Sequence, residues 1–230
     1  MLQQIPLPLK PLEDFNFNSF IADENLLLVD SLKANTEPFI FLWGEKGSGK
    51  TKLLQASCQF QTEQGKTAAY LPLQELQRFS PEILHGMENI DLVCIDDIEL
   101  VLGQTNWEEG LFNLFNQLRQ AKGRLVVSAP ISPQHSSAKL NDLKSRLTSG
   151  LSLKLIPLTD ESTLKAIQLH AKQQGLDLNT DCAKYLLTHF PRDLPSLLRL
   201  LDTLGQANLV EQRKISIPFI KRVIRDSPLT

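Results

Sequence analysis

Apolar residues follow two rhythms along this chain. As far as residue 157, short unbroken apolar runs alternate with stretches that are apolar at every third or fourth position. Beyond it only the second rhythm continues. The runs Phe39-Ile40-Phe41-Leu42-Trp43, Leu92-Val93-Cys94-Ile95 and Leu125-Val126-Val127 predict strands of a parallel sheet buried on both faces. Shorter strands are expected at 67–71 and at 151–156, where Leu151, Leu153 and Leu155 alternate. Helices are expected at 22–32, onward from Lys50, over 73–87 with a break near Ser80-Pro81, and at 107–121 with Leu111, Leu114, Phe115 and Leu118 on one face. In 140–147, Leu140, Leu143 and Leu147 share a face, so Lys144 and Arg146 point elsewhere.

From Thr159 the pattern is helical only, at 159–174, 180–190, 193–207 and 218–225. Thr159 or Asp160 can cap the first of these helices, and Pro218 suits the first turn of the last, behind Ser216. The expectation is an α/β fold over 15–157, a parallel sheet flanked by helices, followed by a small all-helical unit over 158–230. Residues 1–14, held extended by Pro6, Pro8 and Pro11, form a tail. Its apolar stretch Gln4-Ile5-Pro6-Leu7-Pro8-Leu9 either lies on the protein's own surface or docks in a partner's pockets.

Chemistry enters at Gly44-Glu45-Lys46-Gly47-Ser48-Gly49-Lys50-Thr51, a G-x-x-x-x-G-K-T phosphate-binding loop between a strand and a helix. Its glycines let successive N–H groups converge on phosphate oxygens, and the helix adds its positive end. Lys50 is expected to reach the β- and γ-phosphates and the Thr51 hydroxyl to ligate Mg²⁺. The second anchor is the strand ending in Asp96-Asp97. Carboxyl ends of parallel strands gather on one side, so Asp96 is placed to hold Mg²⁺, directly or through water, and Asp97 to polarise an attacking water. Ser128 ends another strand and either touches the γ-phosphate region or bonds the local backbone. Phe15, Phe17 and Phe20, shortly before the loop, either cover a nucleotide base or pack on the sheet edge.

Bulk properties narrow the partners. The 230 residues are 42% hydrophobic and carry a net charge of −2, so no overall field draws the chain onto nucleic acid or an anionic membrane. Arg213, Lys214, Lys221, Arg222 and Arg225 cluster near the end without a recognition motif and read as a solvated basic face, not a sequence-specific DNA reader. Cys58, Cys94 and Cys182 form no zinc or redox motif and suit a reducing cytoplasm; the four histidines show no metal-ligand spacing. No signal-peptide pattern opens the chain and no apolar run is long enough to span a bilayer. A cytoplasmic location is expected.

The phosphate loop, Leu92-Val93-Cys94-Ile95-Asp96-Asp97-Ile98, Ser128, Ser145-Arg146-Leu147 and the helical end come in the order of an AAA+ ATPase. More narrowly, the chain resembles the AAA+ portion of the bacterial replication initiator DnaA. Phe17-Asn18-Ser19-Phe20-Ile21 with Asn25 is similar to the segment where that family covers adenine, and Arg192-Asp193-Leu194 to its sensor-2 segment. The tail Gln4–Leu9 resembles the short motif that binds the replicative sliding clamp, the beta subunit of DNA polymerase III. No room remains for a DNA-reading helix-turn-helix. An initiator-like module with such a tail is similar to the DnaA-related regulatory inactivators.

That resemblance implies bound ADP (or ATP) with Mg²⁺, docking on the clamp, and stimulated hydrolysis of ATP on DnaA, hence negative control of replication initiation. It gives Phe20, Ile21 and Asn25 to the adenine, Arg192 to the phosphates, and Arg146 the role of an arginine finger in trans. From its helix alone, Arg146 reads as a surface salt bridge. A homodimer would add avidity on a ring with several sites. Ser128-Ala129-Pro130 lacks an acidic residue that DnaA carries there, and Asp97 is shorter than the usual glutamate, so weak intrinsic ATPase activity is expected. The alternative is an autonomous AAA+ ATPase of the helicase-loader type; a plain nucleotide kinase fits the helical end poorly.

Overall fold

A computed structural model describes residues 16–191, 194–211 and 215–226. These fall into two compact units. One comprises 16–22, 26–44 and 49–154; the other comprises 155–191, 194–211 and 215–226 together with the short segments 23–25 and 45–48.

The first unit is built on five parallel strands in the order β2-β3-β4-β1-β5: β1 (Phe39–Trp43), β2 (Ala68–Pro72), β3 (Leu92–Asp96), β4 (Arg124–Ala129) and β5 (Leu151–Lys154). The apolar runs are the central strands, and every residue of β3 and β4 is buried. Side chains alternate between the faces. Phe39, Phe41, Val93, Ile95, Leu125 and Val127 form one core with Leu111, Leu114, Phe115 and Leu118 of α4 (Thr105–Ala121) and Leu143 and Leu147 of α5 (Asn141–Ser149). The opposite face is covered by α2 (Lys50–Glu63), whose Leu53 and Leu54 are fully buried. Truncating one such leucine to Ala costs about 2–5 kcal/mol.

The expected helix at 22–32 begins later. A 3-10 turn over Asp23–Asn25 precedes α1 (Leu26–Ala34). Arg124, buried at the start of β4, closes the far end of α1, donating to the carbonyls of Ser31 and Leu32 and to Asn35 Oδ1. The stretch expected to be mostly helical over 73–87 holds only one turn of α-helix, α3 (Leu73–Leu76), and then 3-10 turns. Pro81 interrupts the hydrogen-bond ladder, and Gly86 adopts φ 86°. The expected strand at 151–156 stops at Lys154, where β5 loses its partner β1.

The second unit is helical: α6 (Asp160–Gln173), α7 (Thr180–His189), α8 (Leu194–Glu211) and α9 (Ile217–Asp226). Thr159 Oγ1 accepts from the Ser162 N–H and Asn179 Oδ1 from the Cys182 N–H, capping α6 and α7. Ile167, Leu186, Leu197, Leu201, Leu204 and Ile220 meet in its core.

Candidate nucleotide and partner site

Strand order determines what meets at the carboxyl ends. β4 lies between β3 and β1, with Val127 beside Ile95 and Ser128 beside Leu42. Ser128 therefore ends between Asp96 and the phosphate loop. Its buried hydroxyl donates to Asp96 Oδ1 and accepts from the Asp97 N–H at 2.9 Å. The backbone group that Ser128 bonds is that of Asp97, 31 residues away and not its local backbone, and the same hydroxyl also braces the Asp96 carboxylate.

Asp96, 3% exposed, collects two further hydroxyls on Oδ2: Thr51 at 2.7 Å and Tyr70 at 2.8 Å. Thr51 stands in the first turn of α2, so the two residues assigned to Mg²⁺ are in direct contact. Burial, then the Asp96 charge, pushes the Tyr70 phenol well above its ordinary range, so it is a hydrogen-bond donor at any physiological pH. Sequence reading missed Tyr70; its position follows only from the register that sets it beside Cys94 on β3.

Lys50 is buried, and its ammonium donates to the Gly44 carbonyl at 2.8 Å. Burial lowers its pKa, against the opposing pull of Asp97, Asp96 and Glu99. Glu99 was not anticipated either. Burial, with help from Asp97 and Asp96, raises its pKa despite its own backbone N–H and Lys50, and its Oε2 is buried with no partner. Asp97 sits at φ 58°, ψ 52°, a left-handed conformation that Asp tolerates better than most residues.

The loop has the form a polyphosphate requires. Gly47 and Gly49 take φ 80° and 105°. A Cβ on Gly49 would come within 3.1 Å of the Phe20 ring. The Ser48 hydroxyl is buried without a partner, an orphan that a phosphate oxygen would satisfy. Helix geometry leaves the first N–H groups of α2 without intrahelical acceptors, and Gly49 brings no side chain to cap them. Glu45 and Lys46 are exposed. These residues fit a Mg²⁺–nucleotide: the loop N–H groups and Lys50 for the phosphates, Thr51 and Asp96 for the metal.

The residues that the resemblance gives to adenine have different partners. Phe20 packs on Gly49. Phe17 is buried edge-on against Phe60, with the Lys33 ammonium over its ring. Ile21 is half-buried. The Asn25 amide is engaged twice with the backbone of Ile156, donating at 2.9 Å and accepting at 2.8 Å. Arg192 and the tail residues Gln4, Ile5, Pro6, Leu7, Pro8 and Leu9 lie outside the described residues.

Arg146 is on α5. Leu143 and Leu147 are buried beneath the helix, and the half-buried Arg146 guanidinium lies 5.6 Å over the Phe115 ring of α4. Among the described residues no carboxylate pairs with it. Among the described residues the Phe115 ring, and not the surface salt bridge expected from the helix alone, is what meets the guanidinium.

Comparison with known proteins places this architecture. A family model for the bacterial DnaA ATPase domain matches residues 13–154. The chain belongs to the DnaA-related AAA+ family. A second model, the lid domain of Hda, matches residues 160–224, so this DnaA-related chain carries an Hda-type lid. A Haemophilus influenzae protein described as uncharacterized is 42% identical over 229 residues, covering 97% of this chain and 99% of that relative. Among solved structures, domain III of Thermotoga maritima DnaA superposes with a TM-score of 0.80 at 20% identity, covering 94% of this chain and 98% of that one. AMPPCP-bound DnaA from Aquifex aeolicus gives 0.68 at 22% identity, covering 92% and 70%. The Thermotoga maritima RuvB branch-migration motor gives 0.68 at 18% identity, covering 92% and 71%. The fold is that of an AAA+ ATPase with a helical lid. Among the described residues no helix is long and apolar enough to cross a membrane.

Proposed function

We propose that this chain is a nucleotide-bound AAA+ adaptor that docks on the DNA sliding clamp and stimulates hydrolysis of ATP held by DnaA. The observation that carries the reading is Arg146: a guanidinium held over Phe115, with no carboxylate partner among the described residues, in a chain that joins a DnaA-type ATPase domain to an Hda-type lid. A guanidinium presented in this way can neutralise charge on a phosphoryl group bound by another subunit, and such fingers are worth roughly 10³–10⁵ in rate. Lys50, Thr51 and Asp96 would hold the chain's own ADP or ATP with Mg²⁺, and Gln4–Leu9 would engage the clamp. An extended six-residue segment loses conformational freedom on docking, which sets the single-site affinity on the order of micromolar, about −8 kcal/mol. This activity makes the chain a negative regulator of replication initiation in the cytoplasm.

The test is hydrolysis of ATP preloaded on DnaA, with clamp-loaded DNA, with and without this protein. Acceleration that needs the clamp and disappears with Arg146→Ala supports the adaptor. No acceleration by the wild type overturns it, and steady-state turnover by the isolated protein would then favour the helicase-loader reading. Replacing Gln4 and Leu7 by Ala is expected to abolish capture on immobilised clamp with unchanged thermal unfolding; unchanged capture would remove the tail from the mechanism.

A further inference from the structure

Arg146 is useful as a finger only if α5 holds it in one place, and the means of holding it lies on α4. Glu108 is 1% exposed, in the first turn of α4. A buried carboxylate needs several donors to offset the loss of water. Glu108 takes all of them from the backbone: Gly103 N–H at 2.6 Å and Lys139 N–H at 2.9 Å on Oε1, and Lys139 N–H at 3.1 Å and Leu140 N–H at 2.7 Å on Oε2. Burial alone would raise its pKa, but these N–H groups, with the Lys139 charge, hold it below the ordinary carboxylate range.

Leu140 is the residue from which α5 starts, and its carbonyl accepts the first bond of that helix, from the Lys144 N–H at 3.0 Å. Glu108 thus fixes the chain at the point where α5 begins. Seven residues further along α4, on the same side of the helix, Phe115 lies under the Arg146 guanidinium. α5 is therefore attached to α4 at two places, a charged clamp at its start and an aromatic rest under the finger, with Leu143 and Leu147 buried between them.

We propose that Glu108 is a positioning residue for Arg146: its carboxylate sets the start of α5, and through it the place where the guanidinium is presented to the partner's nucleotide. The inference rests on the finger reading given above. A displacement of about 1 Å at a reacting centre can cost on the order of 100-fold, so loosening this attachment is expected to lower the stimulated rate 10- to 100-fold.

The experiment titrates wild type, Glu108→Gln and Arg146→Ala against ATP–DnaA on clamp-loaded DNA, with ADP affinity measured alongside. Gln keeps the shape, but its NH₂ must face at least one of the N–H donors. The expected result is a lower plateau for Glu108→Gln at an unchanged half-saturating concentration and unchanged ADP affinity, with Arg146→Ala at background. A variant that has merely lost part of its folded population would instead keep the plateau and raise the half-saturating concentration, and that result overturns the inference. Full activity of Glu108→Gln beside an inactive Arg146→Ala overturns it as well, while leaving the finger in place. A wild type that does not stimulate overturns the adaptor reading and this inference together. If Glu108→Gln does not fold by circular dichroism, Glu108→Asp, which keeps the charge and shortens its reach, is read by the same criteria.

Discussion

Among the described residues of the α/β unit two carboxylate side chains, Asp96 and Glu108, are buried, and they are satisfied in opposite ways. Asp96, at the end of β3, accepts from three hydroxyls, those of Thr51, Tyr70 and Ser128. Glu108, on α4, accepts backbone N–H groups of Gly103, Lys139 and Leu140. A hydroxyl rotates and is acceptor as well as donor; a backbone N–H is a donor fixed by the fold. The surroundings of Asp96 can therefore rearrange around a cation at little cost, while those of Glu108 cannot rearrange without moving the chain. Burial alone does not separate a ligand site from a brace. The kind of donor does.

This contrast says that changes at the strand ends alter ligand response with little effect on the fold, and that changes at α4 do the reverse. The largest test is Lys50→Met. Burial depresses the Lys50 pKa, so carrying its proton costs stability in the ligand-free protein, which offsets its bond to the Gly44 carbonyl; an apolar replacement is expected to change the stability of that protein by less than about 1 kcal/mol. ADP at 100 times its dissociation constant stabilises a binding protein by about 2.7 kcal/mol, a Tm rise of about 5–11 °C for a chain of this size. Differential scanning fluorimetry is expected to show that rise in the wild type and to lose most of it in Lys50→Met. A lower ligand-free Tm would make Lys50 a structural residue.

Next comes Asp96→Asn. Loss of the charge is expected to weaken Mg²⁺-dependent nucleotide binding 10- to 100-fold, about 1.4–2.7 kcal/mol. The hydroxyls can turn to meet an amide, so the unfolding free energy should change by less than about 1 kcal/mol. Glu108→Gln should show the opposite profile in the same two assays: unaltered nucleotide affinity and a loss of about 1–3 kcal/mol from an unsatisfied buried donor. Equal stability losses in the two variants would break the contrast.

Much of this arrangement could be read from the residues. The apolar runs marked the three central strands, the G-x-x-x-x-G-K-T spacing marked the loop, and Asp-Asp after an apolar run marked the strand end that meets Thr51. The helical rhythm after 157 marked the second unit, although contacts divide the chain at 154/155 and assign 23–25 and 45–48 to that unit. What stayed hidden needed strand order or distant pairing. Tyr70 reaches Asp96 only because β2 lies beside β3 in that register. Nothing local separates Glu108 from its neighbour Glu109 on α4; two of its three donor residues, Lys139 and Leu140, lie 31 and 32 residues away. The resemblance gives Asn25 to adenine; its partner in the fold, the backbone of Ile156, is 131 residues on and could not be read locally.

The smallest effect concerns the pH dependence of the α4 brace. The Glu108 pKa lies below its unfolded value of about 4.3 because the N–H groups outweigh burial. The unfolded chain then binds this proton more readily than the folded one, so the contribution of Glu108 is complete above about pH 5 and is lost as pH falls through the depressed folded pKa. Other carboxylates titrate too, but they are common to wild type and Glu108→Gln and cancel in the difference between them. Urea unfolding of both proteins from pH 7 down to pH 3.5 is expected to show a constant stability gap to about pH 5, narrowing below it. A gap that persists undiminished at the lowest pH where both proteins fold would mean that packing around residue 108, and not acceptance of the Lys139 and Leu140 N–H bonds by a charged carboxylate, secures the start of α5. The donor distinction between Asp96 and Glu108 would then fail at its more rigid member.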